Sequence, residues 1–92
     1  MLRVYSIFDD KAQVFNTPFF SVNHGTALRA FGDLCNDTRS SISRYPQDFH
    51  LYCLGEFDED KGCIVNSEHP EFIAHAVNMV HVVDPPVSPE DV

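Results

Sequence analysis

The sequence predicts an α+β fold: a small antiparallel sheet from two hairpins, with two helices packed on one face. Three observations predict it. Leu2–Phe8 and Phe49–Phe57 are rich in β-branched and aromatic residues, and each leads into a polar turn and a returning apolar stretch. Ala27, Leu28, Phe31, Leu34 and Cys35 recur at near-helical spacing. Phe72, Ile73, Ala76, Val77 and Val80 repeat that spacing behind Pro70, a residue suited to the first turn of a helix.

Taken in order, Asp9-Asp10-Lys11 turns the first strand back into Ala12–Phe15, and Asn16-Thr17-Pro18 ends that pairing because proline cannot donate to a ladder. Phe19–Val22 continues as an extended edge or crossover. Asn23 or Thr26 caps the first helix, which ends near Asn36 and pairs Arg29 with Asp33 on its solvated side. Residues 37–48 read as a loop bearing serines and arginines, with Pro46 disfavouring helix at Tyr45. Phe49–Phe57 is apolar on most of both faces, as a central strand would be, and Asp58–Gly62 is its hairpin turn. Ser67 or His69 caps the second helix, and an extended segment follows from Met79 to Val83. One domain, 1–83, is thus followed by a stiff, Pro-rich acidic tail, 84–92. A four-stranded sheet of this size leaves its edges exposed, so self-association is expected.

Composition narrows the function classes. Six Lys and Arg stand against 14 Asp and Glu in 92 residues, a formal net charge of −8, so the long-range field repels phosphate backbones and anionic membranes. Any nucleic-acid contact must therefore be local. Residues 1–8 read as a strand rather than a secretory signal, and no apolar run approaches the ~18 residues that a membrane span requires. Cys35, Cys53 and Cys63 are odd in number and form no CxxC pair, which suits reduced thiols in the cytoplasm.

The chemistry-bearing residues argue against an enzyme. His50 and Cys53, three apart on a strand, point to opposite faces, and His69, His75 and His81 step by six, which scatters them around a helix. No metal or other cofactor is expected. Asp58-Glu-Asp60-Lys-Gly62 lacks the fifth and twelfth ligands of a calcium loop, since Gly62 and His69 stand there. No nucleophile motif or phosphate-binding glycine loop occurs, and Cys35, beside Leu34 on an apolar face, reads as a buried structural thiol. The one local basic concentration is Arg29, Arg39 and Arg44, close in sequence to Tyr45 and Phe49. Cations beside aromatic rings are the ingredients of a single-strand-binding surface. Arg29, Arg39, Arg44 and Tyr45 are the candidate nucleic-acid-binding residues.

The run Phe19-Phe-Ser-Val-Asn-His-Gly-Thr-Ala-Leu-Arg29-Ala-Phe31-Gly-Asp33-Leu-Cys-Asn36-Asp37 resembles the central motif of the small nonstructural proteins of gokushovirus-type microviruses, which are single-stranded-DNA phages. A second block, Tyr45-Pro46-Gln-Asp48-Phe49, continuing to Gly55-Glu56-Phe57-Asp58 and Gly62, is similar to that family's Pro-x-Asp-aromatic and Gly-Glu-aromatic-Asp pattern. Val4-Tyr5-Ser6-Ile7 with Asp9 and Lys11 also fits, so the resemblance covers residues 2–65. It implies a non-enzymatic accessory protein made in the cytoplasm of the infected bacterium and absent from the mature virion. Such a protein assists single-stranded genome synthesis or packaging. The implied partners are phage replication or packaging proteins, single-stranded DNA and further copies of the chain; no membrane is involved. The competing reading is an oligomeric protein-interaction module with no nucleic-acid contact.

Overall fold

The structure is a computed structural model and describes residues 1–80. Its first strand, β1 (Leu2–Asp9), stops at Asp9, whose carboxylate accepts from the backbone N–H groups of Lys11 and Ala12 at 3.0 and 3.2 Å. The return strand β2 (Val14–Phe15) is only two residues long and pairs with Phe8 and Asp9. Past Pro18 the chain rejoins the same edge of β1 as β3 (Phe19–Ser21), opposite Arg3 to Tyr5. The serine hydroxyl of Ser6, buried between these short strands, donates to the Asn16 carbonyl at 2.6 Å.

Helix α1 (His24–Cys35) starts where the sequence predicts, at Asn23. The Asn23 side chain accepts from the Thr26 N–H at 2.9 Å while the Thr26 hydroxyl accepts from the Asn23 N–H, a reciprocal capping box. Ala27, Phe31 and Cys35, one turn apart, form its buried stripe; Leu34, expected there too, is exposed. Asn36 ends the helix, and its amide donates to the carbonyls of Gly32 and Met79. The expected loop at 37–48 holds a single helical turn, α2 (Ser41–Arg44), capped by Ser40, then a 3-10 turn at Pro46–Asp48. β4 (Phe49–Asp58) and β5 (Cys63–His75) form the second hairpin. Asp58 and Gly62 close its turn, with Gly62 in the left-handed region at φ 68°.

The predicted fold class needs correction. The described residues are mostly sheet, a curled half-barrel of five antiparallel strands in the order β2-β1-β4-β5 with β3 also beside β1, and among them no pair of helices covers a face. The second predicted helix does not exist. Its residues continue β5 as far as His75, and only a 3-10 turn, Ala76–Asn78, follows. Pro70 and the capping residues Ser67 and His69 lie between two register pairs, Gly55 with Asn66 and Cys53 with Glu71, where β5 carries extra residues that β4 does not match. On an edge strand a proline costs no ladder bond, so the local helix-start signal loses to pairing with β4. Phe72 and Val77, expected to be buried, are about half exposed. The predicted Pro-rich tail at 84–92, His81 and the end of the segment expected through Val83 lie outside the described residues.

The core sits between the sheet and α1. Tyr5, Ile7, Phe49, Leu51 and Cys53 project from β1 and β4 toward Ala27, Phe31, Cys35 and Ile42, with Ala76 closing one end. Tyr5, fully buried, donates its hydroxyl to His24 Nδ1 at 2.6 Å, and His24 Nε2 lies 3.8 Å from Glu71, so one side-chain chain ties β1, α1 and β5 together. Burial holds the Tyr5 phenol above its usual range, with Cys53 adding to the effect, and pushes the Cys35 thiol up to about 11. Cys35 is thus the buried structural thiol that the sequence predicts; Cys53 is buried too, and Cys63 is exposed.

Candidate nucleic-acid interface

Strand alternation sends Phe8 of β1, Phe15 of β2, Tyr52 of β4 and Phe72 of β5 to the face away from α1. Their rings form one row across all four strands. Ring centroids lie 4.8 Å apart for Phe8 and Phe15, 5.5 Å for Phe15 and Tyr52, and 5.8 Å for Tyr52 and Phe72. Phe20 and Phe57 form a second pair on the same face, 5.6 Å apart, above the buried Val4. Phe15, Phe20 and Phe72 are 41%, 51% and 46% exposed. Rings are normally the first side chains a thin core takes in, so an uncovered row is the informative feature of this surface.

The only carboxylate that the described contacts bring to this face is that of Asp10, at its edge. Among its register-paired strand positions there is no Asp or Glu; the ionisable side chains there are His50 and His75. These two cap the row at its far end. His50 Nε2 lies 2.6 Å from the Asp10 carboxylate, His50 Nδ1 shares a hydrogen bond with His75 Nδ1 at 2.8 Å, and the His75 ring lies 4.4 Å from Phe72. His50 and Cys53 lie on opposite faces, as their spacing predicts.

The residues singled out from the sequence do not converge. Arg39 is 90% exposed and turns back on Asp37, donating at 3.1 Å from Nε and 3.3 Å from Nη2, which holds the Asp37 carboxyl below the usual carboxylate range. Arg29 lines a shallow groove of about 310 Å³ with Leu28, Asp33 and Met79, and no Arg29–Asp33 ion pair forms among the described residues. Arg44 is exposed at the end of α2. Tyr45 borders a larger cleft of about 500 Å³ with Asp9, Lys11, Gln47, Asp48 and Phe49. Neither cleft holds two of the arginines. The aromatic row was missed because the sequence reading assigned most rings to the core. The signal was the Phe49–Phe57 run, apolar on both faces, of which α1 covers one.

A family model described as phage ORF5 protein matches residues 2–79. The chain belongs to the phage ORF5 protein family. The resemblance to microvirus proteins read from the sequence is therefore borne out, and this ORF5-family chain is a phage protein. Protein ORF5 of Chlamydia phage 1 is 39% identical to it over 62 residues, which cover 63% of this chain. The chain spans 65% of the length of that relative. No solved structure matches. No helix among the described residues is long and apolar enough to cross a membrane.

Proposed function

We propose that this ORF5-family chain is a non-enzymatic accessory protein of phage genome synthesis or packaging that holds single-stranded DNA by base stacking. The observation that carries the reading is the open row Phe15–Phe8–Tyr52–Phe72 on a face whose paired strand positions lack carboxylates. Every base has a π-face, so stacking on aromatic rings is sequence-tolerant and worth about 1–3 kcal/mol per base. A chain of net charge −8 cannot hold DNA through its backbone alone, which makes stacking the contact open to it. Arg29, Arg44 and Tyr45 lie off this face and supply at most secondary contacts; Arg39 is already engaged with Asp37.

The test is fluorescence anisotropy of a labelled single-stranded oligonucleotide at low salt. Saturable binding is expected, with a salt slope shallower than a phosphate-clamping protein gives, and the double variant Phe15→Ala/Phe72→Ala should weaken it at least tenfold. A flat trace overturns the reading. An exposed apolar row also suits a protein partner, the second reading, in which the chain joins copies of itself or replication or packaging proteins. A solution mass that rises with protein concentration and ignores the oligonucleotide would favour it.

A further inference from the structure

The cleft at Tyr45 contains more than a wall for stacking. We propose that it is a pocket for one unstacked nucleobase, with a preference for guanine. The inference rests on the single-strand reading for its biological ligand, but the pocket itself lies on the helix side of the sheet, separate from the aromatic row. Its volume of about 500 Å³ falls within the ~300–1,000 Å³ usual for small-ligand sites.

The walls are placed by backbone. Tyr45 ends α2 at φ −132°, immediately before Pro46, and is 54% exposed; Phe49, nearly buried and register-paired with Asp9, also lines the cleft. The Asp10 N–H donates to the Asp48 carbonyl at 2.8 Å, and the Asp48 N–H donates to the Tyr45 carbonyl at 3.0 Å, so the β1–β2 turn and the Tyr45 segment are held together before any ligand arrives. Among the described residues, nothing hydrogen-bonds or ion-pairs with the side chains of Tyr45, Gln47, Asp48 or Lys11.

Those four side chains match one ligand chemistry. A ring stacks on Tyr45. The Asp48 carboxylate accepts only, so it repels a phosphate and takes a base edge that offers donors. Guanine presents N1–H and N2–H side by side and fills both oxygens at once. Adenine and cytosine offer one amino group, and thymine flanks its single N–H with two carbonyls that would face the carboxylate. The Gln47 amide can serve the remaining edge, and the Lys11 ammonium supplies the cation that a nucleotide's own phosphate needs. A guanidinium would also stack on Tyr45 and fork onto Asp48, and with Asp9 in the same lining the cleft does not repel a cation, so competition by an arginine peptide belongs in the test.

The experiment titrates the full chain with dGMP, dIMP and dTMP, following the Tyr45 ring resonances, and with a dT dodecamer carrying one central dG against all-dT. Expected is dGMP binding about tenfold tighter than dTMP, with dIMP between them because it lacks the 2-amino group. Asp48→Asn should abolish that preference. Asp60→Asn, which removes the same charge from the distant hairpin turn, should leave it intact. Equal binding of all three nucleotides, equal effects of the two variants, or displacement of dGMP by a hexa-arginine peptide would overturn the pocket. If both dodecamers bind alike, the pocket falls and the stacking row stands. If neither binds while dGMP still shifts Tyr45, the row falls and the pocket stands.

Discussion

The two faces of this sheet come from the same strands by alternation, yet they have opposite fates. Toward α1, Tyr5 and Leu51 are sealed beneath Phe31 and Cys35; on the other side Phe8 and Phe15 pack at a tilt, both meet Tyr52 edge-on, and Tyr52 meets Phe72 edge-on, with Phe15 and Phe72 exposed. What separates them is cover. A chain of 92 residues can bury only about 60–65% of its unfolded surface, and among the described residues a single long helix lies across the five-stranded sheet. The helix-covered face holds the fold together, and the other face keeps its rings half-exposed.

Two substitutions would break that contrast from the side of the fold. Phe31→Ala empties the centre of the covered face and should cost about 3–5 kcal/mol, enough to leave a marginal domain largely unfolded in a urea titration. Gly55→Ala comes next. Gly55 sits at φ 158° where the β5 excursion crosses β4, and a Cβ there would be driven into the Val65 carbonyl oxygen. Strain and displaced backbone together should cost about 2–3 kcal/mol, read as a lower urea midpoint, with slow-exchanging amides lost first in the 63–66 arm.

A third test sharpens the contrast through pH. The Cys35 thiol, raised from 9.0 to about 11 by burial, keeps its proton in the folded state at pH values where the unfolded chain releases it. The associated stability is therefore present in full below pH 9 and is lost as pH climbs toward 11, on the order of 2 kcal/mol. The raised Tyr5 phenol acts in the same direction. Unfolding at pH 8 and pH 10.5 should show this drop, and Cys35→Ala should show a smaller one. Cys63, exposed in the β5 arm, should react with a thiol reagent at neutral pH while Cys35 and Cys53 do not.

Local signals in the sequence were legible and non-local ones were not. The Asn23 cap, the Ala27–Phe31–Cys35 stripe, the stop at Asn36 and the Asp58–Gly62 turn each depend on neighbours within a turn of chain, and each is where the sequence puts it. The stretch from Ser67 offered an equally good local helix signal but is strand as far as His75, with only a 3-10 turn after it, because the decision lay with β4 across the hairpin. The placement of the arginines was non-local too. Arg29, Arg39 and Arg44 are close in sequence but stand on a helix, a turn and a one-turn helix, and neither of the two described clefts holds more than one of them. Tyr45 was legible as a loop residue before proline, whereas its cleft needed the β1–β2 turn to be carried to it by the Asp10–Asp48 contact.

The smallest expected effect decides whether the two faces truly differ. Phe72 is 46% exposed, lies on an edge strand, meets Tyr52 edge-on and packs at a tilt on His75. If the row is a surface, Phe72→Ala removes little buried area and should change stability by less than about 1 kcal/mol, while still weakening oligonucleotide binding by the stacking of one base. If the same substitution instead costs as much as Phe31→Ala, the row is a second core that some unseen cover completes. Binding and stability would then fall together, and the open face would lose its claim to be a site.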